Sequence, residues 1–518
     1  HVRPGSAAAA EPLIDRLLSG RPPQTLAEHA LASQLSRPTG PAYEGRARHL
    51  ELEGLKECWF HITNHCNLSC DHCLFASGPG CRQALARSEL DSALTQAREL
   101  GCRLFLFTGG EPCLYPAFSS VITGVLADPA SQVVVLTNGL LVEQHLAALA
   151  QADPARLHFQ VSVDGLQESH NRRRGPGAFQ GVVSSLDALA AAGFSATLSM
   201  VVCSDTVSDM VEIVRLAAQR QNAVHFLWHF QRGKGSEAQH AAPAAILPHL
   251  LAAQQEAQAL GVKIDNIETL KAQVFATPGS RFDLSNSGWE SLAVGPDGHI
   301  YPSPALVGLA ALDCGTVAQG LEREWRTSPV LEKIRHATLQ GSSYDSNPLK
   351  FIIGGGDIDH SYLAGGAFSG HDPYVELYNG VDLWLITEQA RAYPDLQRPE
   401  LALKMGDVRH DCPNGRAVTL THCNCLVALA DGHAAVRAFY GRAAQSAQKE
   451  IINPFAQGQA AAHFIPAVAR KRSYGCGSPV EDAAPGPGET LVDLGSGSGV
   501  ECFMAAARVG EAGRVFGI

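Results

Sequence analysis

The chain has 518 residues, room for about three or four domains at ~150 residues each. Its composition, 45% apolar and 18% charged with 40 basic against 51 acidic side chains for a net charge of −11, is that of a globular, mildly acidic polypeptide and excludes collagen-like and disordered classes. No block of Lys and Arg interleaved with aromatics occurs, and no apolar run approaches the ~18 residues of a membrane span, so nucleic-acid and membrane readings fall to the bottom. The chain opens at His1 without the n-region and h-region of a signal peptide, and both ends read as those of a fragment.

Residues 1–50, rich in Ala, Pro, Gly and Arg, predict one helix in Ala8 to Leu18 and another near Leu26 to Leu35, with no chemistry attached. Between Glu57 and Phe230 six short apolar runs, CWFHIT, RLFLF, VVVLT, RLHFQVSV, ATLSMVV and AVHFLWHF, alternate with longer amphipathic stretches, and each run predicts a strand. SELDSALTQAREL predicts a helix with Ser88 as its N-cap and Leu90, Leu94 and Ala97 on one face. Strands about 25 to 45 residues apart leave room for helical crossovers, so the sheet should be parallel and right-handed. The fold class is therefore α/β, with an open or partial (β/α)6 barrel over residues 51–290.

In such sheets the loops after the strand C-termini carry the chemistry. Here CWFHIT runs into NHCNLSCDHC, RLFLF into TGGEP, VVVLT into NG and HFQVSV into DG, so one active site is expected at one mouth. From about Ser291 the rhythm stops. AVGPDGHIYPSP predicts a hairpin around Asp297 and Gly298, and Ile352 to Gly370 a Gly-rich loop tract, within a smaller irregular Cys-containing domain over 291–432. Residues 433–518 begin with helical material. They end in ETLVDLGSGSGVECFMAAARVGEAGRVFGI, which reads as a strand, a Gly-rich turn, a helix and a second strand, half of a Rossmann-like sheet.

Fourteen cysteines are unevenly spread: Cys66, Cys70 and Cys73 fall within eight residues, and Cys412, Cys423 and Cys425 within fourteen. Disulfide frameworks of secreted domains do not cluster in this way, so metal or cluster ligation in a reducing cytoplasm is expected. The spacing C-x3-C-x2-C lets three thiolates hold three irons of a cubane cluster and leaves the fourth iron open. A zinc site closed by His65 or His72 is the alternative that spacing alone leaves standing. Cys58, Cys81, Cys102, Cys113 and Cys203 adjoin apolar strands or loops and are expected to pack.

The cysteine loop after a first strand, followed by TGGEP, TNG and SVDG ahead of HNRRRGPGAF, resembles the radical S-adenosylmethionine (SAM) superfamily, in particular its branch with a SPASM-type C-terminal extension. The likeness runs from roughly Glu57 to Trp325. It implies an enzyme in which Cys66, Cys70 and Cys73 ligate a [4Fe-4S] cluster whose open iron binds the amino and carboxylate groups of SAM. An electron from a flavodoxin- or ferredoxin-type donor would then cleave SAM to methionine and a 5′-deoxyadenosyl radical, which takes hydrogen from the substrate. By the same resemblance Gly109, Gly110 and Glu111 contact the methionine amino group, a task suited to carbonyls and a carboxylate, and Glu111 orients SAM. Ser162 and Asp164 match polar positions near the SAM carboxylate or ribose. Asn138 and Arg174 fit either that surround or ordinary turn and surface roles. His72 is a departure, standing where the superfamily often has an aromatic residue.

LAVGPDGHIYPS resembles the start of a SPASM-type extension, with Ser303 where a Cys commonly stands. Cys314, Cys412, Cys423 and Cys425 suffice for one auxiliary [4Fe-4S] cluster, with a zinc site as competitor. Asp357, Asp359 and His360 of GGGDIDH lack the strand-to-helix context of a phosphate loop.

VDLGSGSG, with Asp493, Gly495, Gly497 and Gly499, resembles the Gly-rich first turn of a class I SAM-dependent methyltransferase, where glycines let the backbone approach the methionine portion of SAM. With VRAFYGRAA and RKRSYGCGSPV before it, the stretch from about His433 to Ile518 resembles arsenite methyltransferases, which implies that Cys476 is an arsenic-binding thiol. The ribose-binding acid would fall beyond Ile518, so the module is expected to be incomplete. The function expected is a cytoplasmic radical SAM enzyme modifying a small molecule, in arsenic metabolism, fused to a methyltransferase module. A SPASM-type peptide-modifying maturase and a zinc-stabilised scaffold are the alternatives.

Overall fold

The six apolar runs form β1 (Glu57–His61), β2 (Leu104–Thr108), β3 (Gln132–Thr137), β4 (Leu157–Ser162), β5 (Ser195–Val202) and β6 (Ala223–Trp228). The computed structural model describes residues 12–16, 19, 21–33, 44–275, 282–392, 408–409, 417–420, 426–429, 464–470 and 479–518. Neighbouring strands pair in parallel in sequence order, from Glu57 opposite Leu104 to Val202 opposite Trp228, as expected of a partial barrel of βα units. Period-two alternation divides each strand between two faces. Phe60, Phe105, Phe107, Phe159 and Val161 enter the core, each fully buried and each contributing about 2–3 kcal/mol of apolar burial. The alternate positions of β4 and β5 are polar: His158 pairs with the hydroxyls of Ser195 and Thr197, and Gln160 donates to Ser199.

The predicted helix around SELDSALTQAREL spans Arg87–Glu99, and Leu90, Ala93, Leu94 and Ala97 are its buried side. Ser88 is not its cap. The cap position is Ala86, because the chain arrives extended from Leu85, a buried residue whose N–H is bound to the Ile62 carbonyl. Tertiary anchoring thus sets the cap two residues earlier than the capping preference would.

The expected hairpin forms between β7 (Ser291–Val294) and β8 (Ile300–Tyr301), and β7 also pairs in parallel with β1. The extension therefore begins inside the barrel sheet. Ile352–Gly370 is not a loop tract: helix Lys350–Ile353 and helix Ile358–Gly365 are joined by Gly354, Gly355 and Gly356, whose φ values of 68°, 90° and 85° turn the chain between them. The Asp357 carboxylate caps the second helix by accepting from the Asp359 N–H at 2.9 Å. Helix Val375–Ala392 then packs on helices Pro243–Leu260 and Asp265–Phe275. Three short strands, Val408–Arg409, Ala417–Leu420 and Leu426–Leu429, pair antiparallel.

Residues 1–430 form one compact unit and 431–518 another. In the second, strand Thr490–Asp493 pairs in parallel with Arg514–Gly517, and the connecting helix Val500–Val509 packs through Val500, Met504 and Ala505 on Ile465, Ala469 and Val480. Among the described residues no helix is long and apolar enough to cross a membrane.

Candidate active site at the strand ends

A cavity of about 190 Å³ opens where the strands end. Thr108 of β2, Thr137 of β3, Ser162 of β4, Ser199 of β5 and Trp228 of β6 line it, together with Cys66, Cys70 and Cys73 of the loop after β1. The loop is folded back on itself: Asn64 N–H donates to the Gln83 carbonyl, Cys66 N–H to Gly78 and Ala76 N–H to the Cys73 carbonyl. Cys66 and Cys70 are buried and Cys73 is partly open. Burial pushes the Cys66 thiol up to about 11, and burial raises Cys70 against the opposing pull of Arg174.

The Gly109–Gly110 pair explains how the cysteine loop is seated. Gly110 N–H donates to the Thr63 carbonyl at 2.6 Å and Glu111 N–H to the His65 carbonyl at 2.9 Å. A Cβ at Gly109 would lie 2.4 Å from the Thr63 oxygen, and one at Gly110 2.5 Å from the His65 oxygen, so only glycine admits this approach. Both glycines line the cavity; Glu111 does not. Its carboxylate, fully buried, accepts from Cys113 N–H at 3.1 Å, from the Thr137 hydroxyl at 2.7 Å and from Asn138 N–H at 2.8 Å. Burial raises its pKa, and those three donors only partly offset the rise. Asn138 passes the support on, since its Nδ2 donates to Asn67 at 2.8 Å and lies 3.8 Å from the Cys66 sulfur. In this structure Glu111 stands behind the pocket and accepts from the Asn138 backbone, which links it to the cavity lining.

Asp164 is likewise turned inward and fully buried. Its Oδ2 lies 2.9 Å from His72 Nε2 and 2.5 Å from Arg174 Nε, and its Oδ1 accepts from Val201 N–H at 2.9 Å. Burial alone would raise its pKa, but Arg174 and His72 outweigh it and hold the carboxyl well below the usual range. His72, buried as well, has its other nitrogen 2.9 Å from Asp71, and the two carboxylates keep it above the ordinary histidine value despite burial. Arg174 lines the cavity. The chain of charges continues from Asp71 to Arg173 and from Arg173 to Asp205, tying the cysteine loop to helix Gln167–Arg174 and to the loop after β5.

Cys66, Cys70 and Cys73 border one cavity, the arrangement three thiolates need to bind three separate irons. His72 spends both ring nitrogens on carboxylates and is not free to close a zinc tetrahedron.

Comparison with known proteins agrees. Residues 60–217 match the family model of the Radical SAM superfamily. The chain carries a radical SAM domain. Mycofactocin maturase MftC of Mycobacterium ulcerans (strain Agy99) is 25% identical over 327 residues, covering 61% of this chain and 86% of its own. The fold is shared with the solved structure of native anSMEcpe with bound AdoMet and Cp18Cys peptide, at a TM-score of 0.54 and 17% identity, over 66% of this chain and 99% of that one. An arsenite methyltransferase of Halobacterium salinarum (strain ATCC 700922 / JCM 11081 / NRC-1) is 57% identical over 44 residues, 8% of this chain and 11% of that one. With its radical SAM domain the chain is an iron–sulfur enzyme.

Around the radical SAM domain the remaining site residues fall in different places. Cys314 is buried in the same core as the barrel strands; its thiol, pushed up to about 12 by burial, donates to the Leu312 carbonyl at 3.5 Å. Cys412, Cys423, Cys425 and Cys476 lie outside the described residues. Ser303 donates to Asp359 at 2.6 Å. In the second unit Gly495, Gly497 and Gly499 have φ of 84°, 54° and 80°, and Asp493 accepts from the Cys502 thiol at 3.3 Å. Cys58, Cys102, Cys113 and Cys203 are buried, and Cys81 is partly open. Sequence reasoning missed Gln160 and Ser199, which line the pocket, and the aromatic wall made by Trp228 and Phe230. The signal for the first two was present: polar residues at alternate positions of otherwise apolar strands.

Proposed function

We propose that the radical SAM domain holds a [4Fe-4S] cluster on Cys66, Cys70 and Cys73, binds SAM beside it, and uses reductive SAM cleavage to modify a small molecule. The observation that carries this reading is the shared cavity, in which three loop thiols face the polar ends of four consecutive strands. Bound there, the cluster and SAM would supply an electron and a 5′-deoxyadenosyl radical that abstracts hydrogen. The chain's own residues do the holding. Gly109, Gly110 and Arg174 line the cavity, where glycine carbonyls would suit an ammonium and the guanidinium a carboxylate. Glu111 and Asp164 orient these groups from behind, through Asn138 and through Arg174 and His72.

The Gly-rich turn of the second unit is read as the opening of a class I methyltransferase SAM site, with arsenic as the element handled; the 44-residue likeness to an arsenite methyltransferase supports it. Peptide modification is the second reading, favoured by the likeness to a maturase over 86% of that protein's length. The test of the radical step is 5′-deoxyadenosine formation by the anaerobically reconstituted, dithionite-reduced chain beside Cys70→Ala. Product in the wild type that vanishes in the variant is expected. A cluster-loaded wild type that forms none would overturn the proposal.

A further inference from the structure

The Asp357–His360 motif has no part in the site as described so far, yet it sits directly behind one wall of the pocket. The His360 ring stacks on Phe230 with centroids 3.9 Å apart and planes inclined by 10°, and Phe230 lines the cavity. Tyr374 packs edge-on against His360 at 4.9 Å and lies, tilted by 31°, at 6.0 Å from Trp228, the other aromatic lining residue of this wall. Both supports are themselves fixed. His360 Nδ1 is 2.7 Å from the Asp357 carboxylate, and the Tyr374 hydroxyl donates to the His229 carbonyl at 3.0 Å. Asp372 braces the two together, accepting from Asp357 N–H at 2.7 Å and from Tyr374 N–H at 2.8 Å.

We propose that His360 and Tyr374, carried by the extension, are positioning residues that hold Phe230 and Trp228 as the aromatic wall of the SAM pocket. Neither strand β6 nor the cysteine loop provides a face-to-face partner for Phe230 among the described contacts; the extension does. A stacked pair is worth enough to fix one ring orientation, so its loss should loosen the pocket and weaken occupancy without touching the reacting groups. This inference rests on the proposed SAM site.

The test uses the full chain, with SAM as the probe. His360→Ala should raise the KM for substrate-free SAM cleavage about five-fold with kcat unchanged, and Phe230→Ala, which removes the wall itself, should raise KM at least as much. Because the first residue acts through the second, the double variant should match Phe230→Ala alone. His360→Phe, which keeps a ring on Phe230, should stay within about two-fold of wild type. An unchanged KM in His360→Ala, effects that multiply in the double variant, or a Phe variant as impaired as the Ala variant would overturn the inference. A wild type that cleaves no SAM would refute the function proposed above instead. The inference is then read by amide hydrogen exchange of residues 229–235 in the SAM-free protein, where unchanged protection in His360→Ala would overturn it and faster exchange would support it.

Discussion

Replacing Asp164 by Asn separates two roles that its place in the motif confuses. If the carboxylate touches the cofactor, the variant should fold as well as wild type and lose only SAM affinity. The structure predicts otherwise. Asp164 is fully buried and its Oδ2 serves both His72 and Arg174, while Oδ1 takes the Val201 N–H. An Asn can keep the Val201 bond, and its amide group can donate to a neutral His72 that retains Asp71 on its other nitrogen. It cannot satisfy Arg174, whose side chain is only 10% exposed and would remain a buried cation facing an N–H donor. Removing one partner of a buried pair costs on the order of 3–5 kcal/mol, and the partial rescue of His72 places this case near the lower end, about 3 kcal/mol. The assay is urea unfolding of the cluster-free chain, followed by circular dichroism. The sign with pH follows from the depressed carboxyl: its contribution is present above the unfolded value of about 4 and disappears as pH falls below it toward the folded value. The gap between wild type and variant should therefore be open at pH 7 and close only below about pH 4. Equal stabilities at pH 7, with SAM binding lost, would refute the reasoning.

Gly110→Ala should force the His65 carbonyl away from its 2.5 Å approach, at about 1–3 kcal/mol, and so lower the iron and acid-labile sulfide retained per chain after reconstitution. Full iron content in that variant would show that the loop has slack the structure does not reveal. Burial raises Asp372 to about 6, so its extra stability is present below about pH 4 and is lost as pH rises toward 6. Asp372→Asn should thus flatten the pH dependence of stability by about 3 kcal/mol over that window, read by unfolding at a series of pH values, and an unaltered slope would contradict the assigned pKa.

The strands were legible because burial on both faces of a parallel sheet writes itself as apolar runs, and the crossover distance fixed their direction. The cysteine loop was legible because ligand spacing is local. What tertiary packing decides was not. Nothing in SELDSALTQAREL shows that Leu85 is anchored to Ile62, and so the helix begins at Arg87 with Ala86 as its cap. GGGDIDH reads as loop, because three consecutive glycines hide the helix that starts at Ile358. The pocket's aromatic wall joins Phe230 to His360, residues 130 positions apart (360 − 230) that no local pattern connects.

Glu111 and Asp164 show the same limit at finer scale. Each is an acid just past a strand end, which is all a motif can record, and each proves to be buried behind the pocket. Their surroundings differ in kind. Glu111 is held by two backbone N–H groups and a hydroxyl, all neutral, and burial wins: its pKa rises. Asp164 is held by Arg174 and His72, and the cations win: its pKa falls. Neutral donors reward any well-placed oxygen, whereas cations require the charge itself, because a buried guanidinium without its counter-ion costs more than the hydrogen bond it loses. Charge is therefore part of the architecture at Asp164, where it fixes Arg174 at the cavity, and is incidental at Glu111, where the geometry of three accepted bonds does the work of seating Asn138 beside Cys66.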